Sequence, residues 1–324
     1  MNCKLSIIIV NWNTSYYLKP LLNQLFRYTK KYPWEVIVVD NDSRLDDSKN
    51  FLKSFLEKHT RNKIRIIFNQ TNNFFAQANN QGVAEAKGEY ILILNPDTLI
   101  DVESIIRLLE WVQSGNADAV TPLMKNRHGK SDKNFHNFSY APDQIKTVLS
   151  VKNLITNHLP MVGIYRKNFI EEELPTVPIQ VDWIWAACLM TPRALFNYIG
   201  QFNENYPIYD NDAELCFRMK KANKKIIFDP TIKIIHYGNQ ACKLMGFNWR
   251  IEENIKMRIQ LYNEFYPNPI KVLLIASILY ISGIYMSLLL IVLRRLNYIE
   301  DRPYFQIYYP AIRKCATDYM KLFL

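Results

Sequence analysis

The stretch Tyr90-Ile91-Leu92-Ile93-Leu94-Asn95-Pro96-Asp97-Thr98 decides how this chain folds. Its apolar run is too short to span a membrane, and it stops abruptly at Asn95-Pro96-Asp97-Thr98. Such a run, bounded by turn residues, reads as a strand buried on both faces. Pro96 stiffens the turn and holds the Asp97 carboxylate at the strand's C-terminal edge, where open α/β sheets place their ligands. The competing reading is a turn aspartate that only precedes a helix over 101–114.

Working outward, residues 5–10 form another continuous β-branched run, followed by the polar turn Asn11-Trp12-Asn13-Thr14. Leu18, Leu21, Leu22 and Leu25 then recur at helical spacing. A second strand over 35–39 ends at Asp40-Asn41-Asp42-Ser43; Phe51, Leu52, Phe55 and Leu56 mark the next helix face, and 64–68 the third strand. A polar loop over 69–73 and a short helix over 76–87 lead into the strand at 90–94. The alternation of near-continuous and 3.6-residue periods predicts a doubly wound, mostly parallel, Rossmann-like α/β sheet. Right-handed crossovers bring the strand ends to one rim. Asn11, the Asp40–Ser43 cluster, Asn72-Asn73 and Asn95-Pro96-Asp97 would line it as a small-molecule site.

Composition narrows the chemistry. The chain has 324 residues, 49 % of them apolar, enough for a sizeable core. Its net charge of +10 suits an anionic partner: nucleotide phosphates, acidic lipid headgroups or nucleic acid. Nucleic acid rests on charge alone and is not expected. Neither a G-x-G-x-x-G fingerprint nor a Walker A loop occurs, which disfavours a dinucleotide enzyme or a P-loop ATPase. Without a glycine loop to wrap phosphates, a divalent metal ion held by Asp97 is the expected neutraliser. Five scattered cysteines argue against a disulfide framework or a zinc site and fit a reducing compartment. The N-terminal residues read as a first strand and not a signal peptide, so the expected location is the cytoplasmic face of the cell membrane.

Taken in order, Ser6-Ile7-Ile8-Ile9-Val10-Asn11-Trp12-Asn13, Val38-Val39-Asp40-Asn41-Asp42-Ser43, Asn79-Asn80-Gln81-Gly82 and Leu94-Asn95-Pro96-Asp97-Thr98 resemble the successive signatures of family 2 glycosyltransferases of the GT-A fold. Within the family they are most similar to the rhamnosyltransferase-type subgroup, over roughly residues 5–240. The resemblance implies that Asp40 and Asn41 help hold the nucleotide base and ribose, with Asn11, Ser43, Asn73, Asn80 and Asn95 on the same donor site. It implies that Asp97 stands where the family's metal-binding Asp-x-Asp motif ends. The family often has glycine where Phe74 stands, which implies a stiffer loop here.

Residues 115–180 are less readable: a fifth strand over 118–124, then mixed polar, basic and aromatic residues through His128, His136 and Tyr140. The segment from Val181 to Arg193 resembles the family's acceptor segment, with Ala186 where most members have glycine. Asp182, Trp183 and Trp185 are its acceptor-side candidates, since aromatic faces pack on the C–H face of sugars; plain core packing is the alternative. Tyr209-Asp210-Asn211-Asp212-Ala213-Glu214-Leu215-Cys216 opens a helix, and acids there suit the macrodipole. In the family this region carries a Glu-Asp pair whose Asp is the general base. The resemblance puts that base at Asp212, replaces the Glu with Asn211, and leaves Asp210 as a substitute on the acceptor side. A strand pair over 226–229 and 232–235 ends in His236, which the resemblance casts as a second ligand, with Asp97, for Mn²⁺ or Mg²⁺.

Residues 272–293 contain no charge over 22 positions, long enough to cross a bilayer as one helix. Basic residues flank both ends, so a span and a hairpin broken near Ser282-Gly283 both remain open, with a buried soluble helix as the plain alternative that the unbroken apolarity disfavours. The expected organisation is a nucleotide-sugar half over 1–125, an acceptor half over 126–245 and a membrane-associating helical tail over 246–324. The expected partners are a nucleotide-sugar donor, a lipid-linked glycan acceptor and the membrane. The expected activity is an inverting transfer, with dTDP-rhamnose or a UDP-sugar as donor. A non-catalytic glycan-binding or scaffold protein that keeps the fold is the alternative; a nucleotidyltransferase would want a Gly- and Lys/Arg-rich loop where Asn11-Trp12-Asn13-Thr14-Ser15 stands.

Overall fold

The structure, a computed structural model, describes residues 3–59, 63–138, 174–238 and 240–265, with 314 and 317. The chain divides into two units, Met1–Asn137 with Leu174–Leu244, and Phe138–Glu173 with Met245–Leu324.

The first unit is built on β1 (Leu5–Asn11), β2 (Trp34–Asp40), β3 (Ile64–Phe68) and β4 (Tyr90–Leu94), joined by α1 (Ser15–Lys31), α2 (Ser48–Lys58) and α3 (Phe74–Ala84). These four strands pair parallel in the order β3-β2-β1-β4. Their apolar runs are buried because helices cover both faces; β2 and β4 have no exposed position at all. Gly82 lets α3 approach β1: a Cβ there would stand 2.6 Å from Ile8 Cγ2. Asp46 serves two helices whose own caps make no side-chain bond, accepting from the Ser15 amide (2.6 Å) and the Ser48 amide (2.9 Å).

The sheet continues through a short β5 (Thr98–Leu99), β6 (Ala119–Lys125), β11 (Cys188–Pro192) and β12 (Ile226–His236), giving the order β3-β2-β1-β4-β11-β6-β12-β5. The β11 strand, which periodicity does not single out, runs antiparallel between β4 and β6. The result is a mixed, mostly parallel sheet. Two expectations shift. The two strands expected over 226–235 are one continuous β12 whose register slips between Asp229 and Lys233, because Pro230 has no amide to pair and Asp229 turns back onto Thr231 N (2.8 Å). The helix expected over 101–114 is α4 (Val102–Gln113), capped by Asp101, which accepts from Ser104 N at 2.7 Å. Asp97 is therefore not the residue that starts that helix.

β7 (Ser131–Asp132) folds back on β6, and β9 (Ile179–Val181) joins β12. A separate two-stranded ribbon pairs β8 (Phe135–His136) with β10 (Trp183–Ile184). α5 (Arg193–Tyr198) and α6 (Asn211–Lys221) complete the unit. In the second unit, α7 (Phe247–Phe265) buries Met257 and Leu261 and sets the Phe265 ring edge-on to Phe138 at 4.9 Å. No helix among the described residues is long and apolar enough to cross a membrane; the apolar stretch 272–293 lies outside them.

Candidate active site

The loops after β1 and β2 form one hydrogen-bonded piece. Asn11 Nδ2 donates to Asp40 Oδ1 (2.8 Å) and Ser43 Oγ (3.1 Å), while its Oδ1 accepts from Thr14 Oγ1 (2.7 Å). Asp40, fully buried, also accepts from the Ser43 amide (3.2 Å). Asn13, at φ +53°, accepts the amides of Arg44 and Leu45. Asn41 donates to Phe74 O (2.8 Å) and accepts from Asn69 Nδ2 (2.8 Å) and Asn73 N (3.3 Å). Asn80 clips α3 to the loop before α6, bonding both Phe202 N and Phe202 O. The structure thus brings Asn11, Asp40, Asn41, Ser43 and Asn73 together, and sets Asn80 apart as a clip. Phe74 follows Asn73 at φ +56°, a left-handed conformation that a glycine would adopt freely.

At the next part of the rim, Asp97 and His236 meet. β5 pairs with the end of β12, Thr98 opposite His236, and Tyr237 N donates to Asp97 O at 2.9 Å. His236 Nε2 lies 3.4 Å from Asp97 Oδ1 and 3.4 Å from Asn95 Nδ2. Gln240 N reaches Asp97 Oδ2 at 3.3 Å. Both side chains are buried, and the His236 Nδ1 has no hydrogen-bond partner among the described residues. Among the described residues no three His, Cys, Asp or Glu converge as a closed metal cage. One carboxylate and one imidazole would fit an open divalent-metal site that leaves positions for oxygen ligands from outside the protein.

Two aromatic rings that the sequence does not flag wall this edge. Tyr17, in the first turn of α1, packs on Tyr237 with ring centroids 4.9 Å apart, and the exposed Tyr16 packs on Tyr17 at 5.0 Å. Burial, helped by the neighbouring Tyr16, Asp97 and Tyr237, pushes the Tyr17 phenol above its ordinary pKa, and Arg127 pulls the other way. A phenol held protonated is a hydrogen-bond donor.

Asp212 is the second residue of α6. Its Oδ2 accepts from Ala186 N at 3.3 Å and its Oδ1 from Ala213 N at 2.8 Å. The Ala186 amide is positioned by Asn134, fully buried, which accepts Trp185 N through its carbonyl (3.0 Å) and donates to Pro122 O (2.9 Å). Asn211 is buried and donates to Ile208 O (2.8 Å), so it shapes the approach to the helix; Asp210 stands before it at φ +57°. Glu214 and Arg218 lock α6 one turn on, with Arg218 also held by Ile199 O and Gln201 O. Burial pushes the thiols of Cys188 and Cys216 far up, which removes both as nucleophiles.

On the acceptor-side ribbon, Trp183 stacks on His136 at 4.2 Å, and Trp185 lies 6.4 Å from the same ring while packing against the core. Asp182 pairs with Lys220 at 2.5 Å. His136, which carries no signal in the sequence, is thus a member of the aromatic cluster.

This architecture defines a GT-A-like α/β protein. It matches the solved mannosyltransferase PcManGT from Pyrobaculum calidifontis, in complex with GDP-Man and Mn²⁺, with a TM-score of 0.54 at 13 % identity, over 98 % of this chain and 87 % of that one. Residues 6–174 match Glycosyl transferase family 2, and the chain belongs to that family. Within it the chain is similar to the rhamnosyltransferase WbbL of Escherichia coli K12, at 24 % identity over 77 % of this chain and 90 % of WbbL. It is 23 % identical to the N-acetylglucosaminyl-diphospho-decaprenol L-rhamnosyltransferase of Mycobacterium tuberculosis, over 72 % and 76 % of the two chains. It is also 28 % identical to the glycosyltransferase GlyG of Streptococcus pneumoniae over 53 % of this chain, spanning 54 % of GlyG.

Proposed function

We propose that this protein is an inverting glycosyltransferase that moves a sugar from a nucleoside-diphosphate sugar to a hydroxyl of a lipid-linked glycan, in cell-surface polysaccharide synthesis. The observation that carries the reading is the meeting of Asp97 and His236, from distant parts of the sequence, 3.4 Å apart at the strand-end rim. The rhamnosyltransferase relatives favour a rhamnose donor, and the decaprenol-linked substrate in one relative's name favours a lipid-linked acceptor. A chain with 22 uncharged residues over 272–293 is suited to work at a membrane, at its cytoplasmic face.

In this reading the loop held by Asn11, Asp40, Asn41, Ser43 and Asn73 receives base and ribose, and Asn95 faces the donor diphosphate. Asp97 and His236 would hold Mn²⁺ or Mg²⁺, which acts as a Lewis acid toward the diphosphate. Asp212 takes the proton of the acceptor hydroxyl as that oxygen forms its bond to the anomeric carbon. The bond from that carbon to the diphosphate oxygen breaks on the opposite face, and its electron pair leaves with the nucleotide. The Ala186 amide aims the Asp212 carboxylate. Trp183 and Trp185 offer faces to acceptor sugar, with Asp182, Asp210 and Asn211 beside them.

The test is binding of UDP, TDP and GDP to the full chain, with and without Mn²⁺, for wild type and Asp97→Ala. One nucleotide should bind in a metal-dependent way, and the variant should bind it about 10- to 100-fold more weakly in Mn²⁺. If none of the three binds, the transferase reading fails and a glycan-binding or scaffold protein remains.

A further inference from the structure

Among the described residues, the cation Arg127 beyond the end of β6 has no role in the site so far. β6 and β12 run parallel, with Lys125 opposite Ile235, one residue before His236. The chain leaves β6 on the same side as Tyr237 leaves β12, and turns back into β7 within a tight hairpin. Asn126 closes that hairpin: its amide donates to Lys130 O (2.8 Å), its carbonyl accepts Gly129 N (2.9 Å), and its Oδ1 accepts His128 N (2.9 Å). Gly129 supplies the positive φ of +76° that the turn needs. The tip is therefore a rigid mount, and it carries Arg127 with its Nε 2.9 Å from His128 Nε2. Arg127 is exposed and has no ion pair with a carboxylate among the described residues. Its charge reaches the Tyr17 phenol, the same phenol that feels the Asp97 carboxylate and packs on Tyr237. The strand register carries the Arg127 hairpin past the same end of the sheet at which Tyr237 follows His236 and packs on Tyr17.

We propose that Arg127 is a diphosphate-binding residue: from the β6–β7 hairpin it contacts the phosphate oxygens of the nucleotide held at Asp97 and His236, with the Tyr17 hydroxyl as a second donor. This rests on the donor site proposed above. A planar guanidinium suits two oxygens of one phosphate, and its role is to neutralise the charge the nucleotide carries as it leaves. A metal site with two donors among the described residues, Asp97 and His236, would leave phosphate charge for such a cation to meet. The plain alternative is a solvated turn arginine, the usual fate of a cation at a hairpin tip.

The experiment uses the full chain with UDP, TDP and GDP and, for whichever binds wild type, its nucleoside monophosphate. Arg127→Ala should weaken binding of the diphosphate about tenfold at saturating Mn²⁺ and change binding of the monophosphate much less. Arg127→Lys should recover part of the loss, and the salt dependence of binding should flatten in the alanine variant. Equal affinity of Arg127→Ala and wild type for the diphosphate overturns the assignment, as does an effect confined to the KM of a lipid-diphosphate acceptor. Failure of wild type to bind any nucleotide is a different result, which removes the donor site itself. An unchanged melting temperature in both variants separates a lost contact from a lost fold.

Discussion

Two neighbouring parts of one strand-end rim use their polar groups in opposite ways. After β1 and β2, Asn11, Asp40, Asn41 and Ser43 bond one another and the nearby backbone, and none is more than 2 % exposed. At the ends of β4 and β12, Asp97 and His236 are nearly as buried, yet their side-chain contacts are 3.3–3.4 Å long and the His236 Nδ1 has no partner among the described residues. Buried polar groups without good partners cost stability, so a fold keeps them where a ligand completes the set. The first region is a mould, satisfied from within; the second is left poised, its buried polar groups held only by long contacts.

Removing the proposed base, outside both regions, should stop chemistry and spare the fold. Asp212→Asn keeps the shape and removes the proton acceptor, so turnover with donor and acceptor supplied should fall about 1000-fold while the denaturation midpoint stays put. Near wild-type turnover would remove Asp212 as the base. Breaking the mould should cost the fold itself. Asp40→Ala strands the amides of Asn11 and Ser43 in a dry site, at a cost of about 2–3 kcal/mol read by urea denaturation. A loss under about 0.5 kcal/mol would show that the turn holds itself without Asp40. The smallest effect sharpens the boundary between the two regions. Phe74 sits left-handed where Asn41 grips the loop, so Phe74→Gly should be about 1 kcal/mol more stable than Phe74→Ala, the reverse of the order expected inside a helix. If the alanine variant is the more stable, the left-handed backbone at this position is not retained.

The strand-end rim is legible because it is local. Near-continuous apolar runs at 5–10, 35–39, 64–68 and 90–94 each end in Asn or Asp, and right-handed crossovers leave those ends no choice of side. The family signatures sit on those same ends, which is why Asp97 stands out in the sequence alone. Less was legible beyond residue 115. β11 is a short run, Cys188–Pro192, whose sequence says nothing of its insertion between β4 and β6 against their direction. Tyr17 lies on a helix, where its ring resembles any surface aromatic until Tyr237 is laid beside it. His136 meets Trp183 only because β8 and β10 pair across a long intervening segment.

By itself, then, the sequence determined the alternation of strands and helices, the family, and which residue types crowd the strand ends, since these follow from periodicity and local turn chemistry. Only the tertiary structure decided which of those residues are consumed in holding loops and which are left to act. It joined Asp97 to His236, bonded Asp212 to the Ala186 amide and laid Tyr237 against Tyr17. Each of these pairings spans many residues of chain, and a hydrogen bond or a lone pair is spoken for only once the fold has supplied its neighbours.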